Sequence, residues 1–164
     1  MVSKKIRADQ APTVRGTRYP APYDAPCRER VRHRLGDAFG LTQFGVNLLR
    51  LPPGSWSSQR HWHQREDEFV YVVEGELVLV TDAGEETLQR GDWVAFKAGV
   101  RDGHQLQNRS DREAVLLEVG TRAGDAEVVE YPDIDLRLQS GRWLHRDGAP
   151  YPTEGSPPPS AGRK

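Results

Sequence analysis

The sequence is poor in sulfur, in long apolar runs and in charge of one sign. Cys27 is its single cysteine, which excludes an intrachain disulfide and every multi-cysteine zinc or iron–sulfur site; a bound metal would have to be held by nitrogen and oxygen. The longest apolar runs, FVYVV and LVLV, are far short of the roughly 20 residues that cross a bilayer as a helix. The N-terminal MVSKKIRADQAPTVRGTRYP carries charges but no apolar core of a secretory signal. Lys and Arg total 23 against 24 Asp and Glu, with no long block of either sign. Binding to phosphate-rich polymers or anionic lipid requires concentrated basic surface, so the expectation is a cytoplasmic protein with neither a nucleic-acid nor a membrane partner.

Hydrophobic residues make up 36% of the 164, and the deficit is greatest at the two ends. Residues 1–26 contain four prolines and no periodicity, which predicts an extended N-terminal arm. Residues 153–164, TEGSPPPSAGRK, are too polar and proline-rich to offset their ordering entropy and predict a disordered, flexible tail. Residues 27–152 remain as a single domain with a C-terminal docking segment. Within it, short runs such as LTQFGVNLLRL, EFVYVVEGELVLVT, WVAF and EAVLLEVG alternate with turns rich in Gly, Pro, Asn and Asp, the signature of an all-β sandwich or barrel. Gly75 marks one chain reversal and Asp82 to Gly84 another. The helical candidates are a turn over Arg28 to Leu35 and a short segment in DIDLRLQSGRW.

The chemistry concentrates in HWHQREDEFVYVVEGE, residues 61–76. Residues two apart on a strand face the same way, so His61 and His63 present two imidazoles to one side and Trp62 to the other. Glu68 opens the following apolar strand, where packing fixes it better than Glu66 or Asp67 in the turn. His104, in GVRDGHQLQN, supplies a third imidazole. Three histidines and a carboxylate suit one divalent transition metal per chain (Mn, Fe, Zn, Ni, Co or Cu) with positions left open for water or substrate. Alone, a His-x-His pair beside arginine and acids is more often a polar strand edge; the joint spacing makes it a candidate site.

That spacing resembles a known family. Gly54, six residues, His61-x-His63, four residues, Glu68, six residues and Gly75 resemble the first signature motif of the cupin superfamily, and GDWVAFKAG followed by His104, three residues and Asn108 resembles the second. The sequence departs from the pattern by one extra residue before His61, by Lys97 in place of proline, and by two extra residues between Gly99 and His104. The resemblance, covering residues 54–108, implies a double-stranded β-helix, or jelly-roll barrel, with the metal held by His61, His63, Glu68 and His104 at its mouth. A longer stretch, from RYPAPYDAPC through YPDIDL to HRDGAPY, is similar to small bacterial cupins, some of which carry a sugar-phosphate isomerase label.

Arg60, Lys97 and Arg101 flank the motifs and are candidates for holding an anionic substrate, although Arg60 should point away from His61. Tyr71 and Asn108 are candidates for hydrogen bonds near the metal. Trp56, Trp62, Phe69, Trp93 and Phe96 read as core or interface aromatics, and Cys27 as an inert thiol. Three functions fit: a metal-dependent isomerase, epimerase or lyase using the ion as Lewis acid on a hydroxy-carbonyl or sugar-like small molecule, with Glu68 or a rim acid as catalytic base; an Fe- or Mn-dependent dioxygenase; or a non-enzymatic small-ligand-binding module. Apolar outer surface and exposed sheet edges predict a homodimer.

Overall fold

The computed structural model describes residues 5–152; the tail expected at 153–164 lies outside the described residues. The chain runs through β1 (Thr13–Arg15), β2 (Val31–Arg34), β3 (Phe44–Leu51), β4 (Trp62–His63), β5 (Glu68–Glu74), β6 (Glu76–Thr81), β7 (Gly84–Gln89), β8 (Trp93–Phe96), β9 (Gln105–Gln107), β10 (Ala114–Thr121), β11 (Val128–Tyr131), β12 (Leu136–Gln139) and β13 (Arg142–Leu144), with only short 3-10 turns between them. Among the described residues no helix is long and apolar enough to cross a membrane.

One wall is a six-stranded antiparallel sheet in the order β1-β2-β3-β10-β5-β8, and the facing wall is the three-stranded β7-β6-β9. The period-two pattern of the strands explains the core between them. On β5, Val70 and Val72 turn inward and are almost fully buried, while Tyr71 and Val73 face out, each more than a third exposed. Leu49, Leu51 and Leu116 from the same wall meet Leu77, Leu79, Leu88 and Leu106 from the other. Such a two-walled arrangement, built from strands far apart in sequence, is the jelly-roll barrel of the expected all-β class. Gly75 reverses the chain between the walls. Its φ is +84°, and a Cβ there would lie 2.8 Å from Cα of Ala114, so both conformation and space require glycine.

A third sheet, β13-β12-β11-β4, carries β4 and with it His63. Val129, Tyr131 and Leu136 form a second small core there, with Tyr19, Tyr23, Trp143 and Tyr151 packed against it.

Two expected local structures are corrected. The stretch Arg28 to Leu35 contains strand β2 rather than a helix, because pairing with β1 on one side and β3 on the other takes up its backbone groups. The DIDLRLQSGRW segment is the β12/β13 hairpin, turning at Ser140 (φ +49°) and Gly141 (φ +73°), the left-handed pair that two-residue hairpins favour. Trp93 is also not core: it is 63% exposed, stacked on Phe69 on the outer face with ring centroids 5.7 Å apart.

Candidate metal centre

His61 and His104 face each other across a short antiparallel bridge, exchanging both backbone hydrogen bonds at 3.1 and 2.8 Å. His63 follows on β4, which is held in place by β11 through the pair His63 and Val129. Glu68 begins β5 and shares the inward face of Val70 and Val72. Two pairings and the inward face of β5 therefore bring together the four side chains singled out in the sequence.

Their ligand atoms converge. Nε2 of His61 lies 3.1 Å from Nε2 of His63, and Oε2 of Glu68 lies 3.1, 3.5 and 3.8 Å from Nε2 of His104, His63 and His61. His61 Nδ1 sits 2.9 Å from the Gln59 carbonyl, which can only accept; Nδ1 therefore carries the hydrogen and Nε2 presents its lone pair to the cluster. Parallel stacking of Phe96 on the His104 ring, centroids 3.5 Å apart, and the Tyr131 ring inclined 27° to His61 at 5.7 Å restrain the rings. Three imidazole nitrogens gathered within 3.8 Å of one Glu68 oxygen are a donor set that fits a divalent transition ion. His61, Glu68 and His104 form one group with ligand atoms within 4.8 Å of one another, and His63, Glu66 and Glu127 form a second beside it.

Burial, together with the charges of His104 and His63, pushes the His61 imidazole down to about 3, so it is neutral and ready to ligate. Burial alone would also lower His63, but its hydrogen bond to Glu68 and the negative charges of Glu68, Glu127 and Glu66 outweigh that, and its proton affinity is raised. For Glu68 the cost of burial is overcome by hydrogen bonds from His104 and His63, which hold the carboxyl well below its usual range.

These shifts fix a pH dependence. In the metal-free chain, the folded state resists protonating His61 between its ordinary 6.5 and about 3, whereas the unfolded chain takes up that proton. Stability therefore falls on acidification through this window, at a slope approaching about 1.4 kcal/mol per pH unit for that group. Glu68 acts in the same direction below its ordinary value of 4.5. The raised His63 stabilises at low pH and is fully protonated in both states well below 6.5, so it adds little slope there. The expected result is a melting temperature of chelator-treated protein that drops steadily from pH 6.5 to pH 4; a flat profile would show that His61 is not buried as a neutral ring.

The cluster lies at a cavity of about 340 Å³ whose wall is largely polar, including Tyr19, Arg30, Arg32, Ser58, Gln105 and Glu118. Arg30, Arg32 and Arg122 on this wall were not singled out in the sequence. The flanking residues that were singled out go elsewhere. Arg60 binds Asp133 through two hydrogen bonds of 2.7 and 2.6 Å and also pairs with Asp82, on the side opposite His61. Arg101 lies over the Trp62 ring, 5.7 Å from its centroid, and Lys97 borders a neighbouring hollow behind His63 and His104. Tyr71 faces outward. Asn108 is fully buried but staples a loop, donating to the carbonyls of Leu51 and Arg112 at 2.7 and 2.6 Å and accepting from Ser110. Burial pushes the Cys27 thiol up to about 11, consistent with an inert thiol.

Comparison with known proteins matches residues 47–120 to the cupin domain. A solved structure from Silicibacter pomeroyi, described as a sugar phosphate isomerase from a cupin superfamily, is 44% identical, covers 92% of this chain and 98% of its own, and superposes with a TM-score of 0.84. Tetracenomycin polyketide synthase protein TcmJ of Streptomyces glaucescens is 27% identical over 75% of this chain and 71% of its own. The polyketide cyclase RemF of Streptomyces resistomycificus, at 21% identity over 73% of this chain and 80% of its own and a TM-score of 0.60, shares the fold. With the barrel, the four converging side chains and this likeness along nearly its whole length, the chain belongs to the cupin superfamily.

Proposed function

We propose that the protein is a metal-dependent enzyme that moves a proton on a small hydroxy-carbonyl compound, in a reaction of the isomerase, epimerase or lyase type. The observation that carries this reading is the convergence of His61, His63, Glu68 and His104 on one point of a polar cavity open to small molecules. The name of the 44% identical relative, a sugar phosphate isomerase, points the same way. A divalent ion held by these four residues would act as a Lewis acid toward a substrate oxygen and make an adjacent carbon acid easier to ionise.

The other tasks fall to the chain. Neutral His61, its ring oriented by the Gln59 carbonyl, and His104, wedged against Phe96, supply rigid nitrogen donors. Glu68 is better suited as ligand than as base, because its histidine contacts hold its proton affinity low. Glu66 lines the same cavity; one of its oxygens accepts the Ala123 N–H at 2.7 Å, leaving the other to take a proton. Phe96 and Leu106 form apolar parts of the wall and limit water at the reacting carbon.

The test is proton exchange followed by NMR in D₂O over a panel of hydroxy-aldehydes, hydroxy-ketones and their phosphate esters. Deuterium should enter the carbon next to the carbonyl at equal rates with and without O₂, with more than one divalent ion, and not after chelation. Turnover that requires O₂ would replace this reading with an oxidative one, and binding without any exchange or conversion would make the protein a ligand carrier.

A further inference from the structure

Arg30, immediately before β2, and Arg32 on it are two residues apart and both line the cavity that holds the histidine cluster. Their charges are balanced differently. Arg32 is gripped by Glu118 through two hydrogen bonds of 2.9 and 3.0 Å, and Arg122, on the same wall, pairs with Asp37 at 2.9 Å. Arg30 is only 7% exposed. Its Nε donates to the Gly16 carbonyl at 3.1 Å and its Nη1 to the Ser57 carbonyl, and the Tyr19 ring lies 6.0 Å from it. Carbonyl oxygens and a ring face orient a guanidinium without cancelling its charge. Among the described residues no carboxylate forms an ion pair with Arg30; Glu118, whose charge reaches it, is engaged with Arg32.

A guanidinium does not escape burial by losing its proton, and a buried charge without a counterion is costly. An anion in the cavity removes that cost, and Nη2, which those two bonds leave unused, supplies a further donor toward it. A neutral ligand would leave the charge where it was. We propose that Arg30 is the anion-binding residue of this cavity and that the substrate carries an oxyanion, a carboxylate or a phosphate, which Arg30 grips while the rest of the molecule reaches the histidine cluster. This deepens the function proposed above and rests on its assignment of the cavity as the substrate site. A volume of about 340 Å³ is at the small end of ligand pockets, roughly 300–1,000 Å³, which favours a hydroxy acid or a short sugar phosphate over a larger ligand.

Calorimetric titration of metal-loaded protein with inorganic phosphate and with acetate, in wild type, Arg30→Gln and Arg30→Lys, tests this. At least one anion should bind wild type, and Arg30→Gln should weaken it by about tenfold or more at unchanged metal content, with Arg30→Lys between the two. Preference for phosphate identifies an ester, preference for acetate an acid. Equal affinity in wild type and Arg30→Gln, or no binding of either anion, overturns the proposal. Should Arg30→Gln fail to fold, phenylglyoxal labelling of wild type replaces it: the bound anion should slow modification of Arg30, read by mass spectrometry, and unchanged labelling overturns the proposal. Anion binding that depends on Arg30 in a protein found to hold no metal would sink the Lewis-acid reading and leave the anion site standing.

Discussion

Replacing His61 by alanine is expected to lower the affinity for a divalent ion by at least about 100-fold and to leave the purified protein nearly metal-free. Of the four candidate ligands, His61 combines burial (8% exposed) with an Nδ1 hydrogen bond that commits Nε2 to the cluster. Alanine removes that nitrogen and leaves a gap between the His104 and Tyr131 rings that neither can fill. His63→Ala should behave alike, because its Nε2 lies 3.1 Å from that of His61. Tyr71→Ala, on the same strand as Glu68 but facing outward, should keep its metal. Elemental analysis of the three variants decides the matter, and undiminished metal in both histidine variants would mean that the ion is held elsewhere.

The second large effect concerns the C-terminal sheet. Ending the chain after Glu127 removes β11, β12 and β13, and with them Val129, Tyr131 and Leu136, each at least 95% buried. Burial of three such side chains contributes roughly 5 kcal/mol or more, a large part of the whole stability of a domain. The loss also reaches the site, because β11 pairs with β4 at His63 and Tyr131 stacks on His61. This truncation should give insoluble protein, or a melting temperature lower by about 10 °C or more, and impaired metal binding. Ending the chain after Pro152 removes only TEGSPPPSAGRK, which offers little apolar surface to bury, and should change the melting temperature by no more than a degree or two. Equal melting temperatures for the two truncations would show that the C-terminal sheet contributes nothing to the barrel.

How much of this was legible beforehand follows from what each residue depends on. The shared direction of His61 and His63 is a property of any strand, and Glu68 stands at the head of an apolar run whose alternation sets its face; both could be read locally. Pairing His104 with His61 depends on a chain path between distant segments, and the sequence carried it only through likeness to a family pattern. Arg30 and Arg32 were missed because β2 turns charged side chains toward the cavity, so the usual apolar alternation that marks a strand is absent. The signal was the period-two row Arg28, Arg30, Arg32, Arg34 in RERVRHR, which reads as a strand if arginine is allowed to face inward. Likewise LRLQSGRWL has the alternation and central Ser-Gly of a hairpin. Trp93 shows the converse limit: aromatic content identifies a strand, yet which of its faces is covered depends on what lies opposite.

The proposed chemistry depends on one divalent ion being held jointly by His61, His63, Glu68 and His104. Diffraction data from crystals of metal-loaded protein, collected on both sides of the metal's absorption edge, test it most directly. One anomalous peak per chain is expected, roughly 2.0–2.2 Å from Nε2 of the three histidines and a carboxylate oxygen of Glu68. An anomalous peak coordinated by other residues, or none at this position in crystals of protein shown to carry metal, would contradict it.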